Sequence, residues 1–188
     1  MPSILIHDKR LAGTPPGDLA ERIYEVDDKV AIQHAISWIG HYARQRKHLT
    51  NLYVMCHGYE ADWDLQNQMC TGQEHGGFGL CLCKEGLTLS NVSVTSSLKG
   101  LITRIVIFAC ATADTAPYNI GTAADGRRLC ADIAQYTGAQ VIAAVQTQYY
   151  TTNKKGVIDF GMWEGPVLSF SPDSQGARPI SADVCWAD

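Results

Sequence analysis

Hydrophobic and polar positions alternate along the chain in two kinds of block. Residues 3–7, 52–56, 101–109 and 141–145 are short, nearly continuous apolar runs that stop at polar residues or glycine. Such runs read as strands buried on both faces of a mostly parallel sheet. Between them the spacing becomes helical. Ile32, Ile36, Ile39 and Ala43 share one face of a helix expected to start from a cap at Asp27 or Asp28 and to run to about Lys47. A second helix is predicted from Asp125 through Leu129, Ile133 and Tyr136, with Gly138 in the C-cap position. Asn91 is placed to cap a short helix toward Leu98.

The connecting blocks are polar and rich in turn residues. Thr14-Pro-Pro-Gly17 reads as a turn, and 59–77 and 112–125 as loops. Residues 78–83 and 87–89, joined by Lys84-Glu85-Gly86, read as a β-hairpin, as do 157–163 and 167–170. Strand and helix alternate and a β-rich tail follows. The expectation is a single α/β domain over residues 1–188, a sandwich with helices flanking a mostly parallel central sheet.

Bulk composition narrows the function classes. The 188 residues are 46% hydrophobic and 18% charged, with a net charge of −4, which fits an ordinary globular domain. The longest basic run, Arg44 to His48, suits a helix C-terminus better than a nucleic-acid surface. No segment approaches the ~20 apolar residues of a membrane span. The apolar stretch near Met1 is too short for a signal peptide. Seven cysteines, an odd number without scaffold spacing, point to reduced thiols and a cytoplasmic protein, with secretion lacking an N-terminal signal left open.

Two of the apolar runs end in reactive side chains: Tyr53-Val-Met-Cys-His57-Gly58 and Ile105-Val-Ile-Phe-Ala-Cys110. Ligands gather past the carboxyl ends of parallel strands, so an imidazole and a thiol are expected at one sheet edge. A cysteine attacks carbonyls as thiolate and needs a partner to take its proton. His57 is the expected general base and Cys110 the nucleophile. The amides of Gly58 and Cys110 are the expected oxyanion donors. The plainer alternative for Cys110 is a small buried hydrophobe. Cys56 and Cys130 read as core, and His34, His41 and His48 as an exposed helix edge. Cys70, His75, Cys81 and Cys83 invite a zinc site, although structural zinc favours paired knuckles and only one close pair is present. Asp114, Glu60, Asp62 and Asp64 are candidates to orient the imidazole or line the cleft.

These strings resemble the caspase-like cysteine peptidases, a group that includes caspases, metacaspases, gingipains and the bacterial CHAT domains. The shared pattern is an apolar run ending in His-Gly, then an apolar run ending in Ala-Cys. His57 and Cys110 stand 53 residues apart, close to the caspase spacing of about 50. The intervening Gly79-to-Leu89 segment and the stretch from Gly126 to Ala144 are also similar to CHAT domains. The likeness covers about residues 50–148. The caspase pentapeptide Gln-Ala-Cys-x-Gly is absent, since this chain reads Phe108-Ala-Cys-Ala-Thr112.

The resemblance implies a caspase-like sandwich and a cysteine endopeptidase acting on a protein or peptide, without cofactor or metal. A regulatory protein partner is expected as well, and the charge balance and the lack of a long apolar run argue against nucleic acid and membrane. In these families the residue two before the nucleophile lines the primary pocket. Phe108 holds that position, with Asp8, Asp114 and Gln146 as further substrate-binding candidates. The alternatives are a non-catalytic protein-binding module and a zinc-stabilised scaffold.

Overall fold

The computed structural model describes residues 1–59, 77–173 and 176–181. Its strands are β1 (Ser3–Asp8), β2 (Arg22–Val26), β3 (Leu49–Met55), β4 (His57–Tyr59), β5 (Gly79–Cys81) and β6 (Ile102–Phe108), then β7 (Gln140–Ala144), β8 (Thr151–Thr152), β9 (Ile158–Asp159), β10 (Val167–Phe170) and β11 (Ala177–Ile180). The helices are α1 (Ile32–Gln45) and α2 (Gly126–Thr137). Seven strands form one sheet in the order β11-β10-β7-β6-β3-β1-β2. The run from β2 to β7 is parallel, and β10 is antiparallel to both neighbours. The fold is α/β around a mostly parallel sheet.

The register explains why the core runs are unbroken. Ile4, Leu52, Ile105 and Val141 lie side by side across four strands, and Ile6, Val54, Ile107 and Ala143 form the next rung on that face. The intervening rung of Leu5, Tyr53, Val106 and Ile142 faces the other way, into a second cluster. Both faces are covered, so both parities must be apolar.

The two covers differ in kind. Both helices pack on the first face, α1 through Ile32, Ala35, Ile36, Ile39 and Ala43, and α2 through Leu129, Cys130, Ile133 and Ala134. On the second face the cover is Leu11, Ala20 and Ile158, with Tyr150, Phe160 and Trp163 packed against it. Among the described residues no α-helix lies on that face. The described residues contain no helix long and apolar enough to cross a membrane.

The helix ends are built partly from a distance. At α1 the N-cap is Ala31, which offers no side-chain cap. Glu85 supplies one instead, its Oε2 accepting the Ile32 N–H at 2.8 Å. Asp27, an expected cap, closes a turn by accepting the Lys29 N–H. Asp125 does cap α2, accepting from the Arg128 N–H, and Gly138 ends the helix at φ 71°. Asn91 does not cap the 3-10 turn Val92–Leu98. Its amide spans Thr88 N–H and Gly86 C=O.

Other elements also depart from the pattern. β2 carries too few apolar positions to stand out, because it is an edge strand with one half-solvated side. β5 pairs with β4, and only Leu80 bridges to Leu87. The hairpin expected at 157–163 is replaced by β8 with β9, while residues 167–170 join the main sheet as β10.

Two outcomes follow from the caps. Glu85→Ala is expected to lower stability by about 1 kcal/mol in urea unfolding, while Asp28→Ala leaves the midpoint unchanged. Burial pushes the Asp125 pKa up, but hydrogen bonds from the Gly121 and Arg128 N–H groups and the Thr115 hydroxyl outweigh it and hold the carboxyl below the usual range. That contribution is complete above an ordinary Asp pKa of about 4 and is lost as pH falls through the lowered value. The stability gap between wild type and Asp125→Asn should therefore shrink as urea titrations move from about pH 5 to about pH 3.

Candidate active site

Cys110 sits where β6 leaves the sheet. Ile105 to Ala109 are buried, and Cys110 is the first half-exposed residue after them. Ala111 then takes φ 46°, a left-handed conformation that costs a residue with a Cβ about 1–2 kcal/mol. Hydrogen bonds hold it there. Its N–H donates to Gln146 O at 2.9 Å, and its carbonyl accepts from Gly77 and Asp114 N–H at 3.0 and 3.1 Å. Ala113 N–H donates to Ala144 O at 2.9 Å. The turn is thus pinned to the end of β7, and a strained backbone beside a reactive group marks functional sites. The Cys110 thiol donates to Gln148 O at 3.4 Å.

His57 sits where the neighbouring strand leaves the sheet. β3 ends opposite β6 with Met55 paired to Phe108, and Cys56 N–H still donates to Phe108 O at 3.3 Å. At His57 the chain peels away and pairs with β5, placing His57 opposite Cys81. His57 and Cys110 are thus each two residues past one shared rung. The imidazole Nε2–H donates to Arg10 O at 3.2 Å. That bond assigns the proton to Nε2 and leaves Nδ1 as the basic nitrogen.

Glycine is obligatory beside the histidine. A Cβ on Gly58 would collide with the Cys110 carbonyl oxygen and lie 2.9 Å from its carbon and 3.1 Å from its nitrogen. The backbones of the His-Gly and Ala-Cys segments are therefore in direct contact.

The other sequence-predicted residues divide. Asp8 is fully buried and its carboxylate is occupied by Arg10 and by Cys83 N–H. It cannot face a substrate, which corrects its assignment to substrate binding. Phe108 is 1% exposed, with its ring 5.0 Å from Trp163 and 5.3 Å from Phe160. It belongs to the second core, because its parity matches Val106, and this corrects its assignment to substrate binding. Gln146 is exposed, its side chain lies over Gly165, and its main chain anchors the Cys110 turn. Asp114 is half-buried, and its carbonyl accepts the Gly126 N–H at 2.9 Å. Glu60, Asp62, Asp64, Cys70 and His75 lie outside the described residues.

Among the described residues, Cys56, Cys83 and Cys130 are buried thiols, a poor match for nucleophiles. Burial raises the thiol pKa of Cys56 and Cys130, and it pushes Cys83 up to about 12 with help from the Asp8 charge. Cys56 and Cys130 are core residues, as the pattern implied. Cys81 ends β5 and Cys83 adopts φ 61° in the next turn, so the two do not share a strand face. Among the described residues no group of three His, Cys, Asp or Glu side chains could hold a metal. His34 and His41 lie exposed on α1, and His48 lies beyond its end.

Two participants escaped the sequence analysis. The Arg10 carbonyl could not be found from side-chain types, because a backbone atom carries the contact. Tyr59 has a hydrogen bond with Cys81, and burial, then Cys81, push its phenol pKa up to about 12. Its position one residue beyond His-Gly was the available signal. No family model, curated protein or solved structure matches this chain.

Gly58→Ala is expected to cost at least about 2 kcal/mol in urea unfolding, because backbone must move to admit the methyl. Gly17→Ala, where nothing lies within 4 Å of the added Cβ, is expected to be near neutral and serves as control.

Proposed function

We propose that this chain is a caspase-like cysteine peptidase, with Cys110 as nucleophile and His57 as general base and then general acid. One observation carries it: the Gly58 backbone stands against the Cys110 backbone where two adjacent parallel strands end, beside an imidazole whose Nε2–H is committed to a carbonyl. Nothing in that arrangement serves the core, since both side chains are half-exposed.

The chemistry then runs as acyl transfer. Nδ1 of His57 takes the thiol proton, and the sulfur forms a bond to the scissile carbonyl carbon. The carbonyl oxygen becomes an oxyanion against the amides of Gly58 and Cys110. Collapse expels the amine, which receives the proton from the imidazolium. Water, deprotonated by His57, cleaves the thioester and restores the thiol. The absence of a Cβ at Gly58 lets a substrate approach its amide closely. The substrate is a protein or peptide. A caspase-type preference for aspartate has no support, because Phe108 carries no charge and is sealed under Trp163 and Phe160.

A second reading, a non-catalytic binding module on the same fold, draws on the Cys110 thiol donating to Gln148 O. Thiol reactivity separates the two. In the enzyme, Cys110 alkylates with an apparent pKa below the ~8.5 of a free cysteine, and His57→Ala raises that value. Iodoacetamide labelling followed by peptide mapping at several pH values reads this directly. Cys110→Ala is expected to abolish peptide hydrolysis, and His57→Ala to lower it by about 10²-fold or more, with thermal stability nearly intact. Labelling of Cys110 no faster than that of buried Cys130 would leave only the binding module.

A further inference from the structure

Asp8 and Arg10 form a closed unit at the end of β1. The Asp8 carboxylate, fully buried, accepts from Arg10 N–H at 3.1 Å and Arg10 Nε at 2.8 Å on Oδ1. On Oδ2 it accepts from Arg10 Nη2 at 2.7 Å and from Cys83 N–H at 2.8 Å. Arg10 Nη2 also donates to Cys83 O at 2.7 Å. Two charged planes thus meet edge to edge and share both backbone groups of Cys83, a bidentate geometry with strong directionality. The Asp8 hydrogen bond drives the Arg10 pKa further above its already high value, so the guanidinium stays charged.

The unit has one feature that a merely structural ion pair would not need. The residue clamped at both its main-chain N–H and its guanidinium is the one whose carbonyl receives His57 Nε2–H. The next carbonyl, that of Leu11, is held by a bond from His7 Nε2–H at 2.8 Å, and Leu11 N–H donates to Asp8 O at 2.9 Å. Hydrogen bonds therefore hold the chain on both sides of the Arg10 carbonyl.

We propose that Asp8 and Arg10 are a positioning pair for His57: a buried clasp that aims the Arg10 carbonyl at Nε2 and thereby sets the imidazole tautomer. The proposal rests on the Cys110–His57 reading for its consequence in catalysis, but its structural claim concerns His57 alone. Neither residue touches substrate. Lysine at position 10 keeps the charge and loses the fork, so it cannot satisfy both Asp8 oxygens while holding Cys83.

The test uses the full chain labelled with ¹⁵N-histidine. Wild type is expected to show His57 as the Nε2–H tautomer in imidazole nitrogen spectra. Arg10→Lys, whose native side chain is one third exposed and tolerates change better than Asp8, is expected to give a mixture of tautomers while remaining folded by circular dichroism. Asp8→Asn is the second variant. Alkylation of Cys110 near neutral pH should fall about tenfold in Arg10→Lys, the scale of losing an outer-shell partner, with its pH midpoint moved upward. A wild-type His57 tautomer in folded Arg10→Lys or Asp8→Asn overturns the clasp. Loss of the tautomer supports it even if His57→Ala leaves Cys110 alkylation unchanged, a result that would instead sink the dyad.

Discussion

The parallel pairing of β3 with β6 is the constraint on which the site depends. Side chains alternate with a period of two, so a slip of one residue would turn every side chain of one strand to the other face. Leu52, Val54, Ile105 and Ile107 would then leave the helix-covered core, and Tyr53 and Phe108 would leave the aromatic one. Burial of both parities locks the register at Met55 with Phe108. The same lock sets where each strand ends. The thiol and the imidazole follow that rung by equal steps, so hydrophobic packing deep in the sheet determines the geometry of two polar groups at its edge.

Local strain and close approach are both present at that edge. Ala111 holds a positive φ, and Gly58 stands where a methyl cannot fit. Gly77 is pressed in the same way against the backbone of Asp114 and Ala124, and Gly126 against that of Asp114 and Thr112. Chain segments this close exclude side chains and leave main-chain groups to do the contacting. The turn after Cys110 is accordingly fixed by N–H and C=O groups from Gln146, Ala144 and Gly77. A site built from backbone keeps its shape with few side-chain commitments.

The two sheet faces divide the work. One carries the helices and an aliphatic interior. The other is closed by Tyr150, Phe160 and Trp163 around Phe108, with centroids about 5 to 6 Å apart, a spacing typical of favourable aromatic contacts. Gln148 links this cover to the site. Its amide bonds the Gln146 and Glu164 carbonyls, its side-chain oxygen accepts the Glu164 N–H, and its own carbonyl receives the Cys110 thiol.

The residue pattern alone determined the central strands and the buried face of α1 through its apolar positions, the caps of α2 through Asp125 and Gly138, and the coincidence of a His-Gly and an Ala-Cys at strand ends. Those features depend on local spacing, and local spacing is written in neighbouring residues. Tertiary structure decided what depends on partners far apart in the chain. Glu85 caps a helix that begins more than fifty residues earlier. Asp8 turns inward because Arg10 and Cys83 saturate it. Phe108 is sealed because Trp163 and Phe160 fold back over it. β2 becomes a strand only because β1 offers it an edge. The Arg10 carbonyl meets His57 across 47 residues, and since every residue carries a carbonyl, only folding could select which one the imidazole would find.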